Sequence, residues 1–308
     1  MKGSQKIKGF FQLIRYPNLV FIALTQSLFY YQIIVPHLKN NGQPNQLLQE
    51  TDFMLLLVSS VLIAAAGYII NDYFDIKTDA INRPNKLLLE NTIDRRKAIL
   101  LHLLLTLVGV LIGVIIALQH DNILLVGFQI ISSLLLWFYS TRYKQSYLTG
   151  NILVAALTSI CILMFYWYEP QLAIHKNAQT VIFTTALFAF TLTWMRELIK
   201  DMEDLKGDTI AGCKTMPIVI GLQKSGRIVQ VIGILSVLLL ALLSILLFNS
   251  AHYFFCIYLS LSTCLPLIMV IAQVNKDATS EHYAQLSSSL KFIMLLGLSN
   301  LFIYYINY

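Results

Sequence analysis

The chain has 308 residues, of which 57% are hydrophobic and only 12% charged, with a formal net charge of +6. Soluble domains carry roughly 25% charged residues, so this deficit, with a mean hydropathy of +0.67, excludes an ordinary soluble fold and points to the membrane class. The four cysteines (Cys161, Cys213, Cys256, Cys264) have no C-x-x-C spacing and read as free thiols, and the six histidines have no partner at ligand spacing.

The chain opens with Lys2, Lys6, Lys8 and Arg15. This resembles the basic start of a signal peptide, but no small-residue cleavage site follows Phe21–Tyr31, so the first apolar segment reads as a retained helix. A membrane span needs about 20 mostly apolar residues. Segments of that kind fall at about 19–36, 53–71, 97–118, 122–140, 148–168, 179–199, 228–248, 251–273 and 287–306. The gaps are short. The expected architecture is all-α: one polytopic domain over residues 1–308, a bundle of about nine transmembrane helices.

Lysine and arginine alternate between rich and poor loops along this series. The 72–97 loop carries Lys77, Arg83, Lys86, Arg95, Arg96 and Lys97. The 141–147 loop carries Arg142 and Lys144, the 200–227 loop carries Lys200, Lys206, Lys214, Lys224 and Arg227, and the last even loop keeps Lys276. The other side has Lys39 and Lys176. The positive-inside rule then places the N-terminus in the cytoplasm and the C-terminus across the membrane, as in a multi-pass protein of a bacterial inner or plasma membrane. With its basic residues in membrane-side loops, the chain is expected to meet anionic lipid or an anionic substrate, not nucleic acid. No obligate protein partner is evident.

Two acidic runs sit where spans meet the cytoplasm. After the second span comes Asn71-Asp72-Tyr73-Phe74-Asp75-Ile76-Lys77-Thr78-Asp79. After the sixth comes Asp201-Met202-Glu203-Asp204-Leu205-Lys206-Gly207-Asp208. Both contain D-x-x-D-x-x-x-D, and each aspartate recurs 129 positions later (201 against 72, 204 against 75, 208 against 79). On a helix, such positions fall at about 0°, 300° and 340°, on one face about 60° wide. Two such faces opposed across a bundle would form a strongly negative cavity. Crowded carboxylates raise one another's pKa, and Mg²⁺ relieves this, since it prefers hard oxygen ligands and completes its shell with water and phosphate oxygens. A diphosphate bridged by Mg²⁺ is the natural occupant. Solvated helix ends are the bland alternative, and the duplicated spacing beside the membrane argues against it.

The first run, followed by Arg83-Pro84, resembles the N-D-x-x-D-x-x-x-D signature of the UbiA superfamily of intramembrane prenyltransferases, and the second resembles that family's D-x-x-D-x-x-x-D. The nine-helix count extends the resemblance over essentially the whole chain. Within the family, Arg196-Glu197-Leu198-Ile199-Lys200 leading into Asp201–Asp208 is similar to the digeranylgeranylglyceryl phosphate synthases. So are Gly150-Asn151-Ile152-Leu153-Val154-Ala155 and the pair Tyr139-x-x-x-x-Lys144. The chain departs from many relatives after the first motif, where it reads Asn85-Lys86-Leu87-Leu88-Leu89-Glu90-Asn91 in place of a second R-P and P-x-S-G.

The resemblance implies a prenyltransferase that uses Mg²⁺, an isoprenyl diphosphate donor and a lipophilic acceptor. The acceptor is read as a (geranylgeranyl)glyceryl phosphate of ether-lipid synthesis. An aromatic acceptor of quinone biosynthesis is the alternative, and a cation-binding transporter the remote one. Asn71, Asp72, Asp75, Asp79, Asp201, Asp204 and Asp208 are the metal candidates, with Asp72 also suited to supporting the others. Asp75, Asp204, Lys144 and Tyr139 are the catalytic candidates. Arg83, Lys86, Arg142 and Lys144 are candidates for phosphates, and Arg15 and Asn18, as R-x-x-N, for a polar contact to substrate. For the basic residues, topology alone is the bland reading. Arg196 and Glu197 sit deep and are expected to pair. Tyr73, Phe74, Tyr139, Tyr143 and Trp194 could face a prenyl cation or serve as interfacial anchors. Glu203 or a diphosphate oxygen would take the acceptor's proton.

Overall fold

The computed structural model describes residues 2–40, 48–82, 93–249, 253–275 and 279–307. Nine helices among them are long and apolar enough to cross a membrane: Tyr16–Leu38, Glu50–Asn82, Arg95–Gln119, Ile123–Thr141, Thr149–Tyr168, Lys176–Glu203, Leu222–Ile245, Tyr253–Gln273 and Ser280–Ile303. These are called spans one to nine. A short N-terminal helix, Lys2–Leu13, precedes them. The expected all-α, nine-span architecture is the one observed.

The outer surface is apolar, as a bilayer requires. On the third span Leu100, Leu103, Leu104, Leu107 and Leu111 are exposed, while Ala98, His102, Gly109, Gly113 and Ile116 are buried. Helix contact relies on small residues. A Cβ on Gly109 would stand 2.7 Å from Ile63, and one on Gly113 would stand 2.6 Å from Gln129. The Ser59 hydroxyl donates to the Gly109 carbonyl across the same seam at 2.7 Å.

Two apolar cores fill the bundle. One gathers Phe29, Tyr30, Phe53 and Phe165 from spans one, two and five, with the Tyr30 and Phe53 rings stacked at 4.0 Å. The other packs Leu192, Leu198, Ile199 and Met202 of span six against Leu286 and Leu290 of span nine. Fully buried Glu169, after span five, accepts the Leu48 N–H at 3.1 Å. That bond closes the first core at the end away from the two acidic motifs.

Helix length positions those motifs. Span two has 33 residues, about 50 Å of helix, against a hydrocarbon core of roughly 30 Å. Its apolar stretch ends at Ile70, and the helix continues unbroken to Asn82. The first motif therefore lies on a helical extension instead of in a loop. No Gly or Pro interrupts it until Pro84, whose ring disfavours helix in the residue before it. Span six likewise runs on to Glu203.

This order of spans places the turn at Asp121, after span three, and Lys206, after span six, on opposite faces. Cysteines introduced at the two positions in a cysteine-free background should be labelled by a membrane-impermeant reagent from opposite sides. Labelling from one side would mean that a helix between them does not cross.

Candidate active site

The first motif forms as its spacing requires. Carboxylate oxygens of Asp72, Asp75 and Asp79 all lie within 4.8 Å of one another on the end of span two. Asp75 and Asp72 are steadied by neighbours. Buried Asp75 accepts from Asn71 Nδ2 at 2.6 Å and from the Lys144 ammonium on the same Oδ2. Asp72 Oδ1 accepts from Arg15 at 2.6 Å. Arg15 holds a left-handed backbone (φ 50, ψ 53) between the N-terminal helix and span one, a conformation that costs a non-glycine residue about 1 kcal/mol or more. The strain aims its guanidinium across the Tyr68 ring, 5.2 Å from the centroid, onto Asp72.

The second motif departs from the single-face expectation. The helix is interrupted at Asp204 (φ −90, ψ 4) and resumes as a short helix, Leu205–Ile210, that carries Asp208. The cause is tertiary. Asn82, at the tip of span two, donates to the Asp204 carbonyl at 3.2 Å and accepts the Gly207 N–H at 2.8 Å. A Cβ on Gly207 would stand 2.3 Å from Asn82 Oδ1, so only glycine admits this clamp. Asp201 is held separately, accepting from Asn151 of span five at 2.8 Å. Among the described residues, the first motif alone brings three carboxylates within 4.8 Å.

The two motifs nevertheless meet. Burial first, then Asp204 and Asp75, with Lys144 partly offsetting them, push the Asp208 carboxyl up to about 6. A carboxyl raised by neighbours from both motifs marks a crowd of negative charge that a cation relieves. The Tyr139 hydroxyl lies in the same field, within electrostatic reach of Lys144, Glu197, Asp75 and Asp201.

Lys144 is set by a close backbone approach. It sits in the 3₁₀ turn Tyr143–Gln145, and a Cβ on Gly150 would stand 2.6 Å from the Tyr143 carbonyl and 3.0 Å from Lys144 Cα. The adjacent residues of G-N-I-L-V-A thus do two tasks: Gly150 admits the turn and Asn151 holds Asp201. Loss of hydration works against the Lys144 ammonium, but Asp75 outweighs it, and the group holds its proton above the usual lysine range. The Gln145 carbonyl accepts the Lys214 N–H at 2.8 Å, tying this turn to the loop after the second motif.

These donors fit a divalent metal. Three clustered aspartates offer hard oxygens of the kind Mg²⁺ selects, and the buried Asn71 Oδ1 has no hydrogen-bond partner. Other sequence candidates lie nearby or elsewhere. Arg83 and Lys86 fall outside the described residues. Arg142 is exposed beside the Lys144 turn. Asn18 faces Lys291 of span nine, which donates to its Oδ1 at 2.6 Å. Arg196 and Glu197 do pair, at 2.7 Å, with Lys200 3.7 Å from the other Glu197 oxygen. Of the aromatic candidates, Tyr73 carries Arg95 over its face at 5.0 Å, and Phe74 is exposed, edge-on to Trp137 at 6.2 Å.

Sequence reasoning missed Asn82, Tyr68 and Lys291. Asn82 had a signal: 72, 75, 79 and 82 continue one helical stripe. Replacing Asn82 with Ala removes both arms of the clamp. Divalent-cation affinity, measured by calorimetry, should fall roughly 10–100-fold, as for other residues that orient ligands, while the helical circular-dichroism signal is retained. Unchanged affinity would show that the clamp does not set the site.

Comparison with known proteins agrees with this geometry. Residues 38–306 match the model of the UbiA prenyltransferase family. A digeranylgeranylglyceryl phosphate synthase of Sulfurisphaera tokodaii is 32% identical over 230 residues, covering 73% of this chain and 74% of the relative. That of Saccharolobus solfataricus is 27% identical over 292 residues, covering 95% of each. A solved structure concerning digeranylgeranylglyceryl phosphate synthase superimposes with a TM-score of 0.66 at 24% identity, covering 98% of this chain and 99% of that one. A UbiA homologue from Archaeoglobus fulgidus, bound to GPP and Mg²⁺, gives 0.57 at 16% identity over 95% of this chain and 99% of that one. Nine spans, paired aspartate motifs at one end of the bundle and a family match over nearly the whole length lead to one conclusion: the chain is an integral membrane protein that belongs to the UbiA prenyltransferase family.

Proposed function

We propose that the protein transfers an isoprenyl group from a prenyl diphosphate to the hydroxyl of a prenylglyceryl phosphate, forming an ether lipid in a Mg²⁺-dependent reaction. The observation that carries the donor half is the Asp72–Asp75–Asp79 cluster with Lys144 bonded into it. Asn71 and the six aspartates of the two motifs would hold the metal. Bound there, Mg²⁺ would neutralise diphosphate oxygens and join them to carboxylates that otherwise repel them. The acceptor half is supported by the relatives of matching length, which are named as digeranylgeranylglyceryl phosphate synthases. The motif end of the bundle is assigned to the cytoplasm, because lysine and arginine concentrate there.

The chain's own residues perform the remaining work. Lys144 and Arg142 supply cations for phosphate oxygens, where negative charge builds as the donor's C–O bond breaks, and Arg83 and Lys86 are further candidates from the sequence. Asp75 and Asn71 fix where that ammonium stands. Tyr139 lies in the field of both motifs and is a further candidate for contact with the reacting groups. The bond's electron pair leaves with the diphosphate, the acceptor's hydroxyl oxygen bonds the allylic carbon, and the hydroxyl proton departs to Glu203 or a diphosphate oxygen.

The test uses purified protein with labelled geranylgeranyl diphosphate. Wild type should release diphosphate only with Mg²⁺ and label geranylgeranylglyceryl phosphate. Asp75→Ala and Asp204→Ala should each lower turnover by about 100-fold or more, a loss of the order seen when one transition-state contact is removed, while still inserting. Full activity in either variant would remove the two-motif mechanism. Efficient prenylation of 4-hydroxybenzoate with no reaction of the glyceryl phosphate would overturn the acceptor and leave the donor chemistry standing.

A further inference from the structure

The basic run at the head of the chain takes no part in the site described above. The helix Lys2–Leu13 carries Lys2, Lys6 and Lys8 in its sequence, and no acidic residue precedes Glu50. Arg15, in its left-handed conformation, separates this helix from span one. The helix is therefore an element of its own and not a prolongation of that span.

Its depth follows from what it touches. Leu13 is fully buried in a small cluster with Ile69 of span two and Ala98 of span three. Ile69 stands just before the end of the apolar stretch of span two, and Ala98 lies in the first turn of span three. Both positions mark where a span meets the membrane boundary, so the helix is seated where hydrocarbon gives way to headgroups.

Its faces differ. Gly9 and Leu13 are buried against the bundle. With Ile7 taken as 0°, Phe10 falls at about 300° and Phe11 at about 40°, so the three share a face about 100° wide, roughly 130° round the helix from Gly9 and Leu13. Among the described residues nothing covers that face: Ile7 is 62% exposed and Phe11 48%. Tyr16, also exposed, extends it, edge-on to Phe11 at 6.2 Å. Cations border it. Lys8 is exposed on the same helix, and Arg95, Arg96 and Lys97 are exposed beside Ala98. Only Lys97 of these has a carboxylate partner shown, Asp94, and Arg95 lies over the ring of Tyr73, which packs on the Leu13 cluster. An exposed apolar face with basic flanks, at boundary depth, is the pattern of a helix lying in a membrane interface.

We propose that the helix Lys2–Leu13 lies in the headgroup layer of the leaflet at the motif end and binds anionic phospholipid there, with Ile7, Phe10 and Phe11 in the acyl boundary and its lysines on lipid phosphates. A second copy of the chain does not fit this face, since it would set the same lysines against themselves. Topology alone would account for lysines in this segment, but not for three uncovered apolar side chains beside them. Leu13 stands two residues before Arg15, so the lipid contact also braces the residue that neutralises Asp72.

The experiment places a bimane fluorophore at Phe11→Cys or Gln12→Cys in the otherwise cysteine-free protein, in nanodiscs of equal phosphatidylcholine and phosphatidylglycerol. Gln12 is exposed and about 100° round from Phe11. Brominated lipid should quench position 11 more than position 12, and aqueous acrylamide the reverse. Each lysine near an anionic surface contributes roughly fivefold in affinity. Brominated phosphatidylglycerol should therefore quench position 11 at a concentration about fivefold or more below that of brominated phosphatidylcholine. Replacing Lys2, Lys6 and Lys8 together with Gln should remove most of that preference and leave the difference between positions 11 and 12. Equal acrylamide quenching at the two positions overturns the interfacial placement. Quenching at position 11 by neither reagent means that protein covers the face, and overturns lipid as its partner. Equal quenching by the two brominated lipids, or a preference unchanged in the triple variant, overturns the binding of anionic headgroups by these lysines.

Discussion

Six aspartates share one rim of this bundle, and their mutual repulsion is the constraint around which the rest is arranged. Two carboxylates about 4 Å apart repel by roughly 4 kcal/mol at an effective dielectric near 20. Three in one cluster would not stay together without cations. The chain places Lys144 on Asp75 and Arg15 on Asp72, and it accepts a strained backbone at Arg15 to do so. Asp208, outside the helical spans, shows the residual crowding in its raised proton affinity. The site is thus partly self-neutralised.

Holding that cluster in place falls to neutral groups and to the absence of side chains. Asn82 reaches from the tip of span two into the break after span six, where it bonds the Asp204 carbonyl and its bond from the Gly207 N–H substitutes for a helix hydrogen bond that the break forfeits. Asn151 holds the Asp201 carboxylate by its own side-chain amide. Gly207 and Gly150 are the complement of these contacts, since a methyl group at either would collide with the clamp or with the Lys144 turn. An amide bridges acidic segments without adding charge, which suits a place where either sign would disturb the balance.

Much of this was legible in the sequence, and the misses have physical causes. The nine spans follow from hydropathy, which reports the bilayer and not the helix. For that reason the second and sixth helices run further, to Asn82 and Glu203, than their apolar stretches indicate. The two motifs were legible because carboxylates beside a membrane are expensive and their spacing is duplicated. The break at Asp204 was not, since Gly207 falls three residues after it and its cause is an asparagine more than a hundred positions away. Arg15 was legible as a polar residue at a span's edge. Its partner was not, because nothing in R-x-x-N points to Asp72 or to the Tyr68 ring.

The same logic separates the two ends of the charge distribution. Around the aspartates, acids exceed cations, and the deficit is of the kind a divalent metal with a diphosphate makes up. Around Arg196 and Lys291, cations exceed acids: Arg196 shares Glu197 with Lys200, and Lys291 bonds the neutral Asn18. Glu197 lies between the two regions, paired with Arg196 and reached by Lys200, Lys144 and Arg15. Opposite charge imbalances thus stand on either side of one buried glutamate, an acid-rich side suited to a metal and a cation-rich side suited to an anion.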